Sequence, residues 1–188
     1  MVFNITILLM SCVTVMYFIL PAYIANASGL VFGGGTPVDF NKSGKNNERL
    51  IGDGVTWRGL IAGTLLGTLT GAIQGYFGNE LYNIFGQYIF TPICADLIQG
   101  IVVGFLLGFG GLIGDALGSF IKRRLGIKRG QPAPILDQLD FLLVALLLVS
   151  FVVTIDLSFV LIACVLTLII HLIANSIAYL LGLKNVWY

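Results

Sequence analysis

The stretch from Gly114 to Asp140 reads GDALGSFIKRRLGIKRGQPAPILDQLD and stands between two long apolar runs. It holds five of the ten basic residues and three of the nine acidic residues of the 188-residue chain. Carboxylates can bind a metal ion, and cations can bind phosphates. The segment therefore indicates chemistry on phosphorylated substrates, at the lipid surface if the flanking runs cross a membrane.

The composition of the chain is that of a membrane protein. Hydrophobic residues make up 57% of the sequence and charged residues only 10%, whereas a globular domain has about 25% charged residues. The mean hydropathy is +0.98. We predict an all-α integral membrane protein with one membrane-embedded domain over residues 1–188. The net charge of +1 carries no information on partners, and neither a nucleic acid nor an obligate protein partner is expected.

The apolar runs predict five transmembrane helices, because a span needs roughly 20 apolar residues. They cover residues 2–24, 57–77, 92–112, 139–155 and 157–181, and Pro21 is expected to kink or end the first. The first basic residue is Lys42, so the first run lacks the positive start of a signal peptide and is interpreted as a retained helix.

The basic residues orient these helices. All ten lie between or beside the first and second helices, between the third and fourth, or after the fifth. The positive-inside rule then places the N-terminus outside and the C-terminus in the cytoplasm. We expect a multi-pass cell-membrane protein whose two cytoplasmic loops form the active site.

Glycines at four-residue spacing predict close helix packing. Gly59, Gly63, Gly67, Gly71 and Gly75 recur on the second helix, and Gly100, Gly104 and Gly108 recur on the third. Small residues at this spacing line one helix face and let two backbones approach closely.

Residues that could bind zinc or form disulfides are few and scattered. Cys12, Cys94 and Cys164 lie in or beside apolar runs and form no C-x-x-C pair, which favours buried, inert thiols. His171 is the single histidine, and in mid-helix it is interpreted as a packed or hydrogen-bonded residue. A zinc site is therefore not expected.

The first predicted cytoplasmic loop, residues 26–58, is rich in Gly, Asn and Asp. Backbone N–H groups at Gly33–Gly35 could approach phosphate oxygens. The Walker pattern G-x-x-x-x-G-K-[ST] is absent, so a flexible turn is an equally good interpretation of these glycines.

The second loop carries a more specific pattern. Asp115, Ser119 and Lys122 are spaced i, i+4 and i+7 and would share one helix face, and Asp137 and Asp140 follow at i and i+3. Helix capping and topology could each explain single residues of this set. They do not explain Asp115 at membrane depth, where an unpaired carboxylate is costly. We therefore favour a functional site with Mg²⁺ as the cation that suits carboxylates and phosphates.

This pattern resembles the signature of the CTP-dependent phosphatidate cytidylyltransferases, the CDP-diacylglycerol synthases. Their signature runs roughly S-x-x-K-R-x(4)-K-D, then P, H-G-G and D-R-x-D. Ser119, Lys122, Arg123 and Lys128 fit its first part, whereas Arg129 stands at the position of the Asp. The chain has no H-G-G, and Asp137-Gln-Leu-Asp140 replaces D-R-x-D.

These departures, the small size and the segment GDGVTWRG at residues 52–59 are more similar to the archaeal branch, the CDP-archaeol synthases. Members of that branch usually carry Lys immediately before Thr-Trp-Arg-Gly, where this chain has Val55. The resemblance covers both predicted cytoplasmic loops and the five-helix layout.

The resemblance implies a Mg²⁺-dependent nucleotidyltransferase of membrane phospholipid biosynthesis. CTP and an unsaturated archaeal ether lipid phosphate, digeranylgeranylglyceryl phosphate, would give CDP-archaeol and pyrophosphate. Asp115, Asp137 and Asp140 are expected to hold Mg²⁺ and the triphosphate. Phosphate charge would be neutralised by Lys122, Arg123 and Lys128, with a hydrogen bond from Ser119 to phosphate or cytosine. Candidates for CTP or lipid-phosphate contacts in the first loop are Asn26, Thr36, Asp39, Asp53, Thr56 and Arg58.

Two alternative functions remain at this point. A CTP-dependent polyprenol kinase has broadly similar cytoplasmic loops. A non-enzymatic transporter or lipid-binding protein is favoured less, because transporters place polar residues near the bilayer midplane, often within internal repeats. Here the charges cluster at one predicted face, and no inverted repeat is visible.

Overall fold

A computed structural model describes residues 5–42, 49–85, 96–127, 131 and 133–182. Within these ranges the chain is helical and has no β-strand, and Pro37 and Thr56 form an isolated bridge. The helices are α1 (Ile5–Val31), α2 (Trp57–Tyr76), α3 (Gly78–Phe85), α4 (Leu97–Arg124), α5 (Leu136–Val149) and α6 (Leu157–Leu180). The predicted all-helical class is confirmed.

Several boundaries differ from the prediction, among them the end of α5, which stops at Val149 where the fourth apolar run was expected to reach residue 155. Helix α1 continues through Pro21 to Val31. Pro21 has no N–H for one helical hydrogen bond, but it is fully buried and its carbonyl packs closely against Gly67 of α2. Asn26 therefore lies on a helix and not in the first loop. Helix α4 extends to Arg124, twelve residues beyond the predicted end, and α3 was not predicted at all.

Three helices are long and apolar enough to cross a membrane within the described ranges. These stretches are Leu8–Val31, Leu97–Arg124 and Leu157–Ile177. Helix α2 is glycine-rich, and α5 has 14 residues, which corresponds to about 21 Å of length. The class of membrane protein is supported, while the number of five spans stays a prediction.

The predicted glycine faces of α2 and α4 do meet. A Cβ added to Gly67 would lie 2.9 Å from Cα of Gly108, and one added to Gly104 would lie 2.8 Å from Cα of Gly71. Real Cβ atoms do not approach backbone atoms so closely. The two backbones are therefore in direct contact, and the predicted packing is confirmed.

Helix α4 carries a second glycine face, which the sequence analysis missed. A Cβ on Gly110 would lie 2.8 Å from Cα of Ala145, and one on Gly114 would lie 2.7 Å from Cα of Phe141. This face brings α5 against α4 near the ends of the two helices that are predicted to lie on the cytoplasmic side. The same crossing borders the main apolar core, in which Phe18, Leu107 and Phe141 are almost fully buried.

Candidate active site

The close approach of α4 and α5 determines the position of Asp140. Gly118 leaves open a space that the Asp140 side chain fills, because an added Cβ would lie 2.8 Å from the carboxyl carbon of Asp140. The Oδ1 atom of Asp140 accepts a hydrogen bond of 2.7 Å from the Phe141 amide. Glycine on α4 thus allows a carboxylate of α5 to lie directly against the α4 backbone.

Asp137 lies one helical turn before Asp140 and faces a cation of α4. Its Oδ1 atom is 2.7 Å from the ammonium of Lys122 in an ion pair. Its Oδ2 atom accepts a hydrogen bond of 2.9 Å from the amide of Ala133. The Asp137 side chain therefore joins α4, α5 and the turn that precedes α5.

Asp115 completes this group from two turns earlier on α4. It is partly buried and interacts electrostatically with Lys122, Asp137 and Asp140. Three carboxylates and one ammonium thus belong to this region, so it has an excess of negative charge when all are ionised. We refer to Asp115, Lys122, Asp137 and Asp140 as the α4–α5 charged cluster.

The side chains of the charged cluster do not form a complete metal site in the conformation that the structure shows. Within the described ranges no group of three or more His, Cys, Asp or Glu side chains is arranged to hold a metal ion. The donor chemistry nevertheless suits Mg²⁺, since the acids supply only oxygen ligands. The ammonium 2.7 Å from Asp137 shows that a cation is accommodated there.

The backbone before α5 is strained. Ile135, the residue preceding α5, has φ of 71° and ψ of −53°, and its side chain does not cap the helix. A β-branched residue rarely adopts positive φ, and such strain is commonly found at functional sites. The strained residue directly precedes the helical turn that carries Asp137.

The remaining predicted residues of the second loop lie at the end of α4. Arg123 donates a hydrogen bond of 2.6 Å to the carbonyl of Ile127, and Ser119 is partly exposed one turn after Asp115. The guanidinium of Arg124 stacks 4.8 Å from the Phe120 ring. Lys128 lies outside the described residues.

Thr56 connects the first loop to the start of α2. Its hydroxyl accepts hydrogen bonds of 3.2 Å from the amides of Gly59 and Gly34, as expected of a helix cap. The Trp57 amide donates to the carbonyl of Thr36, and Gly35 lies beside the exposed side chain of Arg58. The glycine segment is thus tied to α2 and does not form a free turn.

Asp39 holds the rest of this loop together. Its buried carboxylate accepts two hydrogen bonds from the Arg49 guanidinium and three from the amides of Asn41, Ile51 and Gly52. Burial opposes ionisation, but the bonds from Arg49 and these amides outweigh it and lower the pKa of Asp39 well below its usual range. Arg49 also pairs with exposed Asp53 at 2.7 Å.

A cavity of about 370 Å³ lies between the first loop and the helices. Its polar lining consists of Tyr23 and Asn26 from α1, Thr56, Asp115 from α4 and His171 from α6. Asp115 therefore belongs both to the charged cluster and to this cavity. Of the predicted first-loop residues that the structure describes, Asn26 and Thr56 line the cavity, whereas Thr36, Asp39, Asp53 and Arg58 do not.

Sequence reasoning did not place Tyr23 or His171 in a site. The Tyr23 hydroxyl donates a 2.8 Å hydrogen bond to Thr167 of α6, and His171 follows one turn later. The four-residue spacing of Thr167 and His171 in a largely apolar helix was the available signal that this face of α6 meets polar groups.

The family model described as CarS-like, CDP-archaeol synthase, matches residues 5–188. A CDP-archaeol synthase of Methanocaldococcus jannaschii is 49% identical over 173 residues, which cover 92% of this chain and 95% of the relative. The one of Methanothermobacter thermautotrophicus is 52% identical over 174 residues, covering 93% of this chain and 92% of the relative.

A solved structure shares the fold. It is described as an intramembrane enzyme for archaeal membrane lipids biosynthesis and is 38% identical to this chain, with a TM-score of 0.69. The similarity covers 85% of this chain and 91% of the solved one.

Proposed function

The chain belongs to the CarS-like family of CDP-archaeol synthases, and we propose that it transfers the cytidylyl group of CTP to an unsaturated archaeal ether lipid phosphate. The products are CDP-archaeol and pyrophosphate. The observation that carries this proposal within the fold is the position of Asp115, which lines a cavity of about 370 Å³ and lies on α4 two turns before Lys122, the partner of Asp137. A nucleotide in contact with the cluster and a lipid headgroup in the cavity would thus be neighbours.

The reaction is a displacement at phosphorus. An ionised oxygen of the lipid phosphate attacks the α-phosphorus of CTP, a new P–O bond forms, and the bond to the β-phosphate bridging oxygen breaks. Because the attacking oxygen is already an anion, no general base is needed. Catalysis then consists of bringing two anions together and stabilising the charge on the leaving pyrophosphate.

The basic residues at the end of α4 are suited to this charge stabilisation. The ammonium of Lys122 pairs with the Asp137 carboxylate. It can bind a phosphate oxygen in place of that carboxylate. Arg123 lies beside it, and Lys128, which is outside the described residues, is proposed to contribute a third cation. Ser119 lies on the Asp115–Lys122 face of α4 and is proposed to donate its hydroxyl to phosphate or cytosine.

Asp115, Asp137 and Asp140 are proposed to hold Mg²⁺ together with the triphosphate. When bound, this ion supplies positive charge that offsets the repulsion between the carboxylates and the phosphates. The all-oxygen donor set and the ammonium beside Asp137 support this assignment. Ionised carboxylates without such a cation would repel CTP.

The first loop and the adjoining end of α1 are proposed to contact CTP or the lipid phosphate. Asn26 and Thr56 are placed best for direct contact because they line the cavity with Asp115. Thr36 and Arg58 flank them at the start of α2. Asp39 and Asp53 are proposed to act through Arg49, whose pairing with both acids shapes the loop.

The proposed membrane topology has five spans, with the N-terminus outside and both loops in the cytoplasm. The distribution of the ten basic residues supports it. Cytoplasmic loops would also give the site access to CTP, which does not cross the membrane.

The test uses purified protein in detergent with Mg²⁺, CTP labelled at the α-phosphate, and either ether-linked or ester-linked lipid phosphate. We expect α-label in the ether lipid, with pyrophosphate released and no turnover after chelation of the metal. Transfer of γ-label to lipid would instead identify a kinase. The absence of any CTP binding would overturn the proposal in favour of a non-enzymatic protein.

A further inference from the structure

The ion pair between Lys122 and Asp137 joins two groups to which the proposed mechanism gives separate tasks. The ammonium lies 2.7 Å from Oδ1 of Asp137, and the side chains are only 17% and 33% exposed. The mechanism assigns the carboxylate to Mg²⁺ and the ammonium to a phosphate oxygen. Both assignments require this contact to open.

The Oδ1 atom of Asp137 has the properties of an available metal ligand. It is buried, and among the residues that the structure describes it accepts no hydrogen bond. The ammonium of Lys122 thus contacts this oxygen as an ion pair without the geometry of a hydrogen bond. A buried acceptor without a hydrogen bond is costly, and a divalent cation that prefers oxygen ligands would remove that cost.

Asp137 is the fixed member of the pair, and Lys122 is the movable one. The other carboxylate oxygen of Asp137 accepts a hydrogen bond of 2.9 Å from the Ala133 amide, which holds the carboxylate against the turn before α5. Lys122 lies in the last turn of α4, and a flexible four-carbon stem carries its ammonium. The ammonium can therefore leave Oδ1 while the carboxylate keeps its position.

The charges of the cluster determine when this exchange is favourable. A metal ion without nucleotide would bring a second cation close to the ammonium, and the two would repel each other. CTP supplies phosphate oxygens, so the displaced ammonium gains an anionic partner when the metal gains Asp137. Metal and nucleotide then strengthen each other's binding by the same factor, as linkage requires.

We propose that Lys122 is an internal competitor of the metal ion. Its ammonium covers Oδ1 of Asp137 until CTP binds, and it then moves to a phosphate oxygen and leaves the carboxylate to the metal. This inference rests on the proposed function and deepens it, because it makes metal binding at the charged cluster depend on the nucleotide.

The experiment measures binding of Mn²⁺ alone, as a paramagnetic substitute for Mg²⁺, by electron paramagnetic resonance of the purified protein in detergent. Lys122→Met removes the ammonium and keeps most of the side-chain length. Loss of the competing charge should lower the Mn²⁺ Kd roughly tenfold or more. Binding of CTP in the presence of a chelator should weaken roughly tenfold or more in the same variant, because a charged partner of the phosphates is lost.

Arg124→Met is the matched control, because it removes one positive charge from the same end of α4, where Arg124 stacks on Phe120. Its Mn²⁺ Kd should change by less than about threefold, as expected for an exposed charge. Lys122→Gln replaces the ammonium by a neutral polar group and repeats the test if Lys122→Met does not fold. It should change both affinities in the same directions as Lys122→Met.

The opposite signs of the two effects distinguish competition from a structural role. If the Lys122 variants bound both Mn²⁺ and CTP more weakly, Lys122 would only support the fold and the proposal would be overturned. Unchanged Mn²⁺ binding would overturn it too, as would an equal gain in Arg124→Met. If the unaltered protein shows no cytidylyl transfer, the proposed function fails, and the Mn²⁺ comparison still decides whether Lys122 competes with the metal.

Discussion

The two polar regions of this protein satisfy their carboxylates in opposite ways. In the first loop, Asp39 is surrounded by five donated hydrogen bonds from Arg49 and three amides. In the α4–α5 charged cluster, the ammonium of Lys122 pairs with Asp137, and Asp137 and Asp140 each accept one backbone amide bond. A carboxylate with all its partners inside the fold stabilises that fold. One that lacks them is suited to bind a cation from outside.

This contrast predicts that the two regions fail differently when an acid is replaced. Asp137→Asn should lower turnover by roughly 10²–10³-fold, because an electrostatic partner of the phosphates is lost. The thermal unfolding midpoint in detergent should change little, since the amide still reaches the Ala133 backbone. Initial rates with α-labelled CTP at saturating Mg²⁺ measure the first effect.

Asp156→Asn is the control for that variant. Asp156 precedes α6 at the other end of the bundle and makes no side-chain capping bond, so its replacement should leave turnover unchanged. Normal turnover in Asp137→Asn would remove Asp137 from the proposed metal site and would weaken the contrast with Asp39.

The glycine that accommodates Asp140 offers a second way to sharpen the comparison. In Gly118→Ala the new methyl group would collide with the Asp140 carboxyl group, and overpacking of this kind costs about 1–3 kcal/mol. We expect a roughly tenfold or larger loss of turnover, since displacements of about 1 Å from productive geometry have effects of this size or more. Kinetics and the unfolding midpoint should be measured together.

Leu117→Ala serves as the matched change on the exposed face of the same helix turn. It should alter neither turnover nor the arrangement of Asp140. If Gly118→Ala retained full activity, the close fit between α4 and Asp140 would not matter for the reaction.

The sequence alone predicts part of the arrangement of helices and carboxylates around the charged cluster, but not all of it. The spacing of Asp115, Ser119 and Lys122 sufficed to place them on one helix face, and the four-residue glycine repeats of α2 and α4 sufficed to predict close backbone packing. The second glycine face of α4 could not be assigned, because a helix with small residues on several faces does not specify which neighbour meets which face. That choice depends on tertiary packing.

The cavity was missed for a related reason. Pro21 was expected to kink or end the first helix, which was predicted to stop at residue 24, so Asn26 was assigned to a loop. The helix instead continues, with Pro21 packed against Gly67. His171 lines the cavity only through the docking of α6 on Tyr23. The spacing of Thr167 and His171 indicates a polar face on α6 but does not specify which helix this face meets. Local spacing thus indicated which residues share a helix face, but it did not specify which helices meet at those faces.

Replacement of Asp39 should affect stability more than chemistry. Asp39→Asn weakens the bonds to Arg49 and leaves donors of the loop imperfectly paired, which should lower the free energy of unfolding by about 2–3 kcal/mol. The midpoint of thermal unfolding in detergent at pH 7 measures this loss. Asp53→Asn is the milder comparison, because its ion pair with Arg49 is about half exposed and such pairs contribute about 0–1 kcal/mol. Equal midpoints for all three proteins would contradict the structural role of Asp39.

The difference between Asp39→Asn and the unaltered protein should also depend on pH, and this is the smallest effect expected. The folded state lowers the pKa of Asp39 below its ordinary value of 3.8. Its contribution to stability is therefore complete above about pH 4 and is lost as the pH falls from there toward the lowered pKa. The gap between the two unfolding midpoints should stay constant between pH 7 and pH 5 and narrow below pH 4. Other acids titrate in the same range, but they are common to both proteins and largely cancel in the difference. A gap that stayed the same at pH 3.5 and pH 7 would mean that the charge of Asp39 does not stabilise the loop, and the contrast with the α4–α5 charged cluster would then rest on hydrogen-bond geometry alone.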